Sequence, residues 1–308
     1  MRPLNTRETK ASRVWRVLQK YNAITQTTSD GKALSERVAG RTLFQFDKTF
    51  GEKTTTREVY SDVAQGIVES VVNGLNGTIF AYGQTSSGKT FTMQGSGTIE
   101  DGTVSDGGVV HMAARDIFTQ IRNNPGRVFL IRVSFIEIYN EKVRDLLDTG
   151  TADKVLQIRE DSSRGVFVIN ATENIITDFE SLLGTLFAGE KHRTFAGTAM
   201  NERSSRSHTV FRVTVESRKC KESDDASASD DDGDDEAVCI STLNLVDLAG
   251  SVSVKHTGAT GDRLKEGAKI NQRYVCHYMY LNASESLLKD RSHATSPAPY
   301  SLLTLYPV

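Results

Sequence analysis

Gly83-Gln84-Thr85-Ser86-Ser87-Gly88-Lys89-Thr90 (GQTSSGKT) decides how the rest of the 308-residue chain is read. These residues fill the pattern GxxxxGK[ST] in full. They follow an apolar, β-prone run, Thr78–Tyr82 (TIFAY), and precede Lys89–Met93, which can continue as a helix. Each part has a physical task. The glycines let the backbone bend into a cradle whose N–H groups point at phosphate oxygens. Lys89 carries positive charge to the terminal phosphates, and the Thr90 hydroxyl suits Mg²⁺. An ordinary Gly/Ser loop shares the composition but not this strand–loop–helix setting. The stretch predicts a phosphate-binding loop that opens a helix.

Outward from the loop, strands and helices alternate. Val63, Ile67 and Val71 recur every four residues within Arg57–Leu75 and predict one amphipathic helix. Val128–Tyr139 (VFLIRVSFIEIY) reads as a long strand. Leu156–Arg159 and Val166–Ile169 flank Asp161-Ser162-Ser163-Arg164-Gly165 as a hairpin. Asp178–Arg193 reads as a helix with Asp178 as its N-cap. Thr209–Arg218 alternates Val213 and Val215 with Arg212, Thr214 and Glu216, the pattern of a half-exposed strand, and Val238–Asp247 is a further strand. There is no internal repeat, and no heptad run that would set an oligomeric state. The order predicts one α/β domain, a three-layer sandwich of the P-loop NTPase kind with a mixed central sheet flanked by helices.

Composition narrows the class. The chain has 37 Lys+Arg, 39 Asp+Glu, a formal net charge of −2, 38 % hydrophobic residues and 3 Cys. That apolar share supports a sizeable core, and no run approaches the roughly 18 apolar residues of a membrane span. The polar opening Met1-Arg2-Pro3-Leu4-Asn5 has no leader pattern. Cys220, Cys239 and Cys276 are too few and scattered for a disulfide framework or a zinc site. A reducing, cytoplasmic setting is expected, with neither membrane nor nucleic acid as partner. The near-zero charge hides an asymmetry. Residues 221–236, KESDDASASDDDGDDE, hold nine acids and one lysine; this local −8, set against the total of −2, leaves +6 for the remainder. Asp230-Asp231-Asp232-Gly233-Asp234-Asp235 lacks the ligand spacing of a calcium loop. The tract is expected to be a solvated loop insert at the tip of the hairpin between the strands at 209–218 and 238–247.

Two segments downstream add the parts of a nucleotide switch. Asn201-Glu202-Arg203-Ser204-Ser205-Arg206-Ser207-His208 gathers hydroxyls, an amide and cations fit to reach Mg²⁺, a γ-phosphate and an attacking water. Taken alone, it is equally a capped loop before the strand at Thr209. Asp247-Leu248-Ala249-Gly250 ends a strand. An Asp there suits Mg²⁺ held through water, and Gly250 leaves a backbone N–H to sense the γ-phosphate. A lone DxxG is weak; in order after a phosphate loop and SSRSH it is strong. The N-K-x-D segment with which Ras-type GTPases read guanine is absent, so ATP is the expected nucleotide, with Arg2-Pro3 packing against adenine.

GQTSSGKT, NERSSRSH and DLAGS, followed by TGATGDRLKEG at 257–267, resemble the kinesin motor domain. So do RPLN at Arg2–Asn5, FAYGQTSSGKTFTM at Phe80–Met93, GGVVHM ending at Met112, and FIEIYNEKVRDLL at Phe135–Leu147. The wording is nearest to centromere-protein-E-like kinesins, and the resemblance runs from Arg2 to about Asn271. It implies an ATPase that works on microtubules, in the cytoplasmic microtubule cytoskeleton, with spindle or kinetochore placement following from the subfamily. By position, it implies nucleotide contacts at Arg2, Pro3, Gly83–Thr90 and Phe91. Lys89 and Thr90 would hold phosphates and Mg²⁺; Ser205, and Asp247 through water, complete the Mg²⁺ shell. Ser204 helps to place the water, Asn201 and Arg206 shape the closed switch, and Asp247 and Gly250 report the γ-phosphate. Tubulin is acidic, so a basic microtubule face is expected. Lys255, Arg263, Lys265 and, more weakly, Arg164 match it, although each cation alone is equally a solvated side chain.

Three departures from the family follow. Val252 stands where the family has Glu after DLAGS, the implied partner of Arg206 and part of the implied proton path. Valine can neither pair nor relay a proton, and losing such a charge-assisted contact costs about 1.5–3 kcal/mol in the closed state. The match also opens inside the family's first strand, without its β-rich lead-in. Finally, it stops near Asn271-Gln272, short of the expected apolar helix, the PYRDSKLT-like segment and the neck. The expected organisation is a motor domain over 1–272, incomplete at both ends, and a divergent tail over 273–308. The expected function is an ATP-dependent microtubule motor. The alternative is a nucleotide- and microtubule-binding module with impaired hydrolysis and no motility, and the order of the switches disfavours an unrelated P-loop NTPase or kinase.

Overall fold

A computed structural model describes residues 3, 15–28, 43–95, 107–140, 142–148, 150, 155–161, 165–195, 206–220, 238–250 and 300–304. Two sheets are present among them. Strands β1 (Trp15–Leu18), β2 (Ala23–Gln26) and β3 (Leu43–Gln45) form a small antiparallel sheet, with the Trp15 and Phe44 rings 5.8 Å apart. The central sheet takes β4 (Gly77–Tyr82), β5 (Arg127–Tyr139), β6 (Lys142–Asp145), β7 (Val155–Asp161), β8 (Gly165–Ile169), β9 (Asn174–Ile176), β10 (His208–Lys219), β11 (Cys239–Asp247) and β12 (Tyr300–Thr304). Its order is β12-β4-β11-β10-β5-β6-β7-β8, with β9 on β5. β12, β4 and β11 run parallel, while β10 is antiparallel to both β11 and β5. The sheet is therefore mixed, as the alternation of elements predicts. Tyr300–Thr304, within the tail that the sequence sets apart, supplies its edge strand.

The helices are α1 (Thr56–Val63), α2 (Gln65–Val72), α3 (Lys89–Gln94), α4 (Val109–Arg122) and α5 (Phe179–Phe195). The single helix expected over 57–75 is instead two, broken at Ala64, where φ is −110°. The break lets each half do a different job. α1 starts with a capping box, Thr55 with Glu58, and aims the Tyr60 hydroxyl at Asp116 on α4, 2.8 Å away. α2 turns Ile67, Val68, Val71 and Val72 onto the sheet. Asp178 caps α5 as expected, its Oδ1 accepting from the Ser181 N–H at 2.7 Å. That bond, with others from Thr177 and the Ser181 side chain, holds its carboxyl below the usual range.

All five helices bury side chains in one cluster with Ile79 of β4, Leu245 of β11, Phe211 of β10 and Phe135 of β5. The opposite face carries a smaller cluster around Ile136, Val210 and Val246. No described helix contributes to that cluster, and the second helix layer expected of a three-layer sandwich falls outside the described residues. The half-exposed reading of 209–218 holds at Arg212 and Glu216, which are half-buried, and fails at Thr214, which is 8 % exposed. Alternation does place those three on one face, and because β10 lies between β5 and β11, neighbouring side chains cover that face in part. The acidic tract 221–236 lies outside the described residues, and the strands on either side of it do pair antiparallel.

Candidate nucleotide site at the ends of two parallel strands

β4 and β11 run side by side in the same direction, with Ala81 opposite Asp247. Their carboxyl ends therefore open at one place, the usual binding edge of a parallel α/β sheet. β4 leads into Gly83–Thr90 and β11 into Leu248–Gly250. Gly88 sits at φ 96°, a conformation open to glycine, and Ser86 takes the left-handed region at φ 65°. Between them these turns bring the chain back into α3, which starts at Lys89. Gln84, Thr85, Ser86 and Thr90 face outward, while Ser87 and Lys89 are buried beneath.

Lys89 is 7 % exposed, and its Nζ donates to the carbonyls of Gly83 (2.9 Å) and Gln84 (2.8 Å). Two of its three N–H donors thus shape the loop, and one is left for a ligand. The Thr90 hydroxyl donates to Asp247 Oδ2 at 2.6 Å, joining positions 157 residues apart. Asp247 Oδ1 is buried with no hydrogen-bond partner among the described residues. Burial pushes the Asp247 carboxyl up, opposed by the Thr90 bond and by Arg193 and Lys89. Burial likewise pulls the Lys89 ammonium down, opposed by Asp247. Gly250 meets the loop directly: a Cβ there would stand 2.2 Å from Thr85 Oγ1 and 2.7 Å from Thr85 N. Only glycine permits that approach.

Behind the loop lies a layer that the motifs do not mark. Gln94, closing α3, donates through Nε2 to Glu190 Oε1 of α5 at 2.6 Å. Glu190 Oε2 faces Arg193 at 3.7 Å, and Arg193 Nη2 donates to Ser207 Oγ at 3.3 Å. Burial raises the Glu190 carboxyl, countered by Arg193 and Gln94 and reinforced by Asp247 and Glu137. Two buried cations, Lys89 and Arg193, thus stand among two buried carboxylates, Asp247 and Glu137, and the half-buried carboxylate of Glu190. Thr90 and Asp247, whose Oδ1 has no hydrogen-bond partner among the described residues, would hold a divalent cation, and its charge would offset the surplus of carboxylates. Among the described residues no group of three or more His, Cys, Asp or Glu is placed to hold a metal ion.

Of the residues expected from sequence, Gly83, Gln84, Thr85, Ser86, Ser87, Gly88, Lys89, Thr90, Asp247 and Gly250 converge here. Phe91 follows them, half-exposed on α3, and Arg206 is half-buried just before β10. Pro3 is exposed. Arg2, Arg164, Asn201, Ser204, Ser205, Lys255, Arg263 and Lys265, and Val252, lie outside the described residues. No sequence motif marks Gln94, Glu190 or Arg193. Only the partners they meet reveal them.

A model of the family described as "Kinesin motor domain" matches residues 1–287, running past residue 272 into the stretch that the sequence sets apart. Over 272 residues the chain is 44 % identical to "Centromere-associated protein E" of Homo sapiens, covering 88 % of this chain and 9 % of that protein. It is 45 % identical over 271 residues to "Kinesin-like protein KIN-7I" of Oryza sativa subsp. japonica, covering 88 % of this chain and 20 % of that one. "Kinesin-like protein KIN-7N" of Arabidopsis thaliana is 45 % identical over 248 residues, covering 80 % of this chain and 28 % of that protein. The chain thus spans less than a third of the length of each of these relatives. No described helix is long and apolar enough to cross a membrane.

Proposed function

The chain belongs to the kinesin family, and on that premise we propose that it is a Mg·ATP-dependent microtubule motor domain whose nucleotide site is Gly83–Thr90. The observation that carries this reading is the bond from Thr90 to Asp247 across two parallel strands, with Gly250 pressed on Thr85. Backbone N–H groups of Gly83–Lys89 and the Lys89 ammonium would hold the phosphates. Thr90, Asp247 through water, and Ser205 would hold Mg²⁺, and Arg2, Pro3 and Phe91 would flank the base. Asn201, Ser204, Arg206 and Gly250 would surround the γ-phosphate and the water. Bound Mg·ATP supplies the phosphoryl group that is cleaved. Arg164, Lys255, Arg263 and Lys265 would face the acidic filament, on the microtubule cytoskeleton of the cytoplasm, and the name "Centromere-associated protein E" adds the centromere as a place of work. The motor portion is 1–272 and 273–308 is a divergent tail, from which Tyr300–Thr304 returns to pair with β4.

Val252 favours a second reading, a nucleotide- and microtubule-binding module with impaired hydrolysis and no motility. One set of assays separates the two: binding of a fluorescent ATP analogue with Mg²⁺, phosphate release, and microtubule co-pelleting in ATP, ADP and a non-hydrolysable analogue. Nucleotide-dependent pelleting is expected, with analogue binding weakened about 10-fold or more by Lys89→Ala, the scale of a lost charge-assisted contact. Binding that ignores Lys89→Ala would refute the site. Brisk microtubule-stimulated phosphate release would remove the second reading. Slow release that Val252→Glu accelerates would establish it.

A further inference from the structure

We infer that His208 is a positioning residue that ties the segment ending in SSRSH to the DLAG loop and so holds Gly250 on the phosphate loop, a role that rests on reading Gly83–Thr90 as an ATP site. His208 opens β10 and is 8 % exposed. Its Nδ1 accepts the Ala249 N–H at 3.0 Å in a buried bond spanning 41 positions. The β10–β11 ladder ends at the pair Thr209 and Asp247. Just past that last rung, where strand pairing no longer supplies a carbonyl, the imidazole takes the amide of Ala249 instead. Because Ala249 donates, Nδ1 carries a lone pair and the neutral ring keeps its proton on Nε2.

The next residue is Gly250, whose Cα approaches Thr85 so closely that no Cβ fits. The bond from His208 therefore fixes the amide adjoining the tightest contact between the DLAG loop and the phosphate loop. On its other side His208 is anchored through Ser207, 1 % exposed, whose Oγ accepts from Arg193 of α5. Arg193 faces Glu190, and Glu190 accepts from Gln94 at the end of the helix that Lys89 begins. The contacts close a ring: Thr85, α3, α5, Ser207-His208, Ala249-Gly250 and back to Thr85. In such a ring neither loop moves by itself. A shift of Gly250 pulls on His208, and a shift of Ser207 pulls on Ala249.

The test uses the full chain in two arms. In the first, hydrogen exchange followed by mass spectrometry reads the peptide containing Ala249, without nucleotide. His208→Ala should speed exchange there by about 2- to 12-fold, the range for one lost neutral hydrogen bond. His208→Asn, whose amide oxygen can stand in for Nδ1, should restore it. In the second arm, the affinity ratio for a non-hydrolysable ATP analogue over ADP should fall by a similar factor in His208→Ala and recover in His208→Asn. Unchanged exchange in a folded His208→Ala protein overturns the tie. Should His208→Ala not fold, His208→Phe, which keeps a ring but has no acceptor, takes its place: faster exchange at Ala249 supports the tie, and wild-type exchange overturns it. A wild-type chain that binds neither nucleotide defeats the ATP reading, while the exchange arm still judges the tie.

Discussion

Across β4, β11, β10 and β5, two adjacent rungs face opposite sides of the central sheet. Ile79, Leu245, Phe211 and Phe135 form one, beneath the helices; Thr78, Asn244, Arg212 and Ser134 form the other. The first is held by packing. Its four side chains are no more than 3 % exposed, and Phe135 meets Phe211 edge to face at 5.3 Å. The second is held by direction. Arg212 Nε donates to Asn244 Oδ1 at 2.9 Å, and Asn244 Nδ2 donates to Thr78 Oγ1 at 3.4 Å. Apolar burial is strong but accepts many neighbours, whereas a chain of donors and acceptors accepts only one pairing. A slip of one residue would exchange the two rungs, so the polar one helps to specify the register that brings Asp247 beside Thr90.

If that division is right, truncation on the packed side should have the largest effect. Phe135 fills the space over Gly189 of α5, where an added Cβ would stand 2.3 Å from its ring. Phe135→Ala should lower unfolding free energy by about 3–5 kcal/mol in urea titration, through lost transfer energy and the cavity left behind. A loss below about 1 kcal/mol would mean that the helices close over the gap, and the contrast between the faces would fail.

On the directional side the expected loss is smaller. Asn244→Ala removes the acceptor used by Arg212 and the donor used by Thr78, and should cost about 1–3 kcal/mol, toward the lower end because Arg212 is only half-buried. Arg212→Ala combined with Asn244→Ala should cost less than the sum of the two singles, since both break one bond. Strict additivity in the double-mutant cycle would show that the rung is a row of independent residues.

Much of the fold is legible in sequence wherever a short-range pattern carries it. TIFAY, VFLIRVSFIEIY and the Val213/Val215 alternation read correctly as strands because side-chain period shows within a few residues. The turn at Gly83–Gly88 that opens α3 reads correctly because its glycines and Lys89 act on their own neighbours. What is hidden depends on partners far along the chain. Gln94 with Glu190, Arg193 with Ser207, and His208 with Ala249 are ordinary residues until the fold places them together. Alternation in 209–218 tells which residues share a face, but not whether that face is covered. The five residues of β12 follow Pro299 and are followed by Pro307 in a stretch with little periodicity, and they become a strand by pairing with β4. Ala64, a good helix former, has no local signal for the break that sends Tyr60 to Asp116.

The smallest effect separates the faces by pH. His111, in the first turn of α4 on the packed side, is 5 % exposed, with its ring 6.0 Å from that of Phe187. Neither ring nitrogen has a hydrogen-bond partner among the described residues. Burial, and then the charge of Arg115, hold its imidazole below the ordinary value of 6.5. The native state therefore keeps His111 neutral at pH values where the unfolded chain has begun to bind a proton. Its contribution is fully present above 6.5 and is lost as pH falls from there toward the native value. Between pH 7 and pH 6 that loss is at most about 0.7 kcal/mol, the free energy of protonating one histidine in the unfolded state alone. The polar rung of Thr78, Asn244, Arg212 and Ser134 holds no imidazole or carboxylate, so comparing variants on the two faces isolates the share that belongs to His111. His111→Leu should flatten this part of the stability–pH curve, measured by thermal unfolding, and Asn244→Ala should leave the slope unchanged. Equal slopes for wild type and His111→Leu would mean that His111 takes up its proton in the folded state as readily as in the unfolded one, and that the packed face admits a charge that its apolar lining ought to exclude.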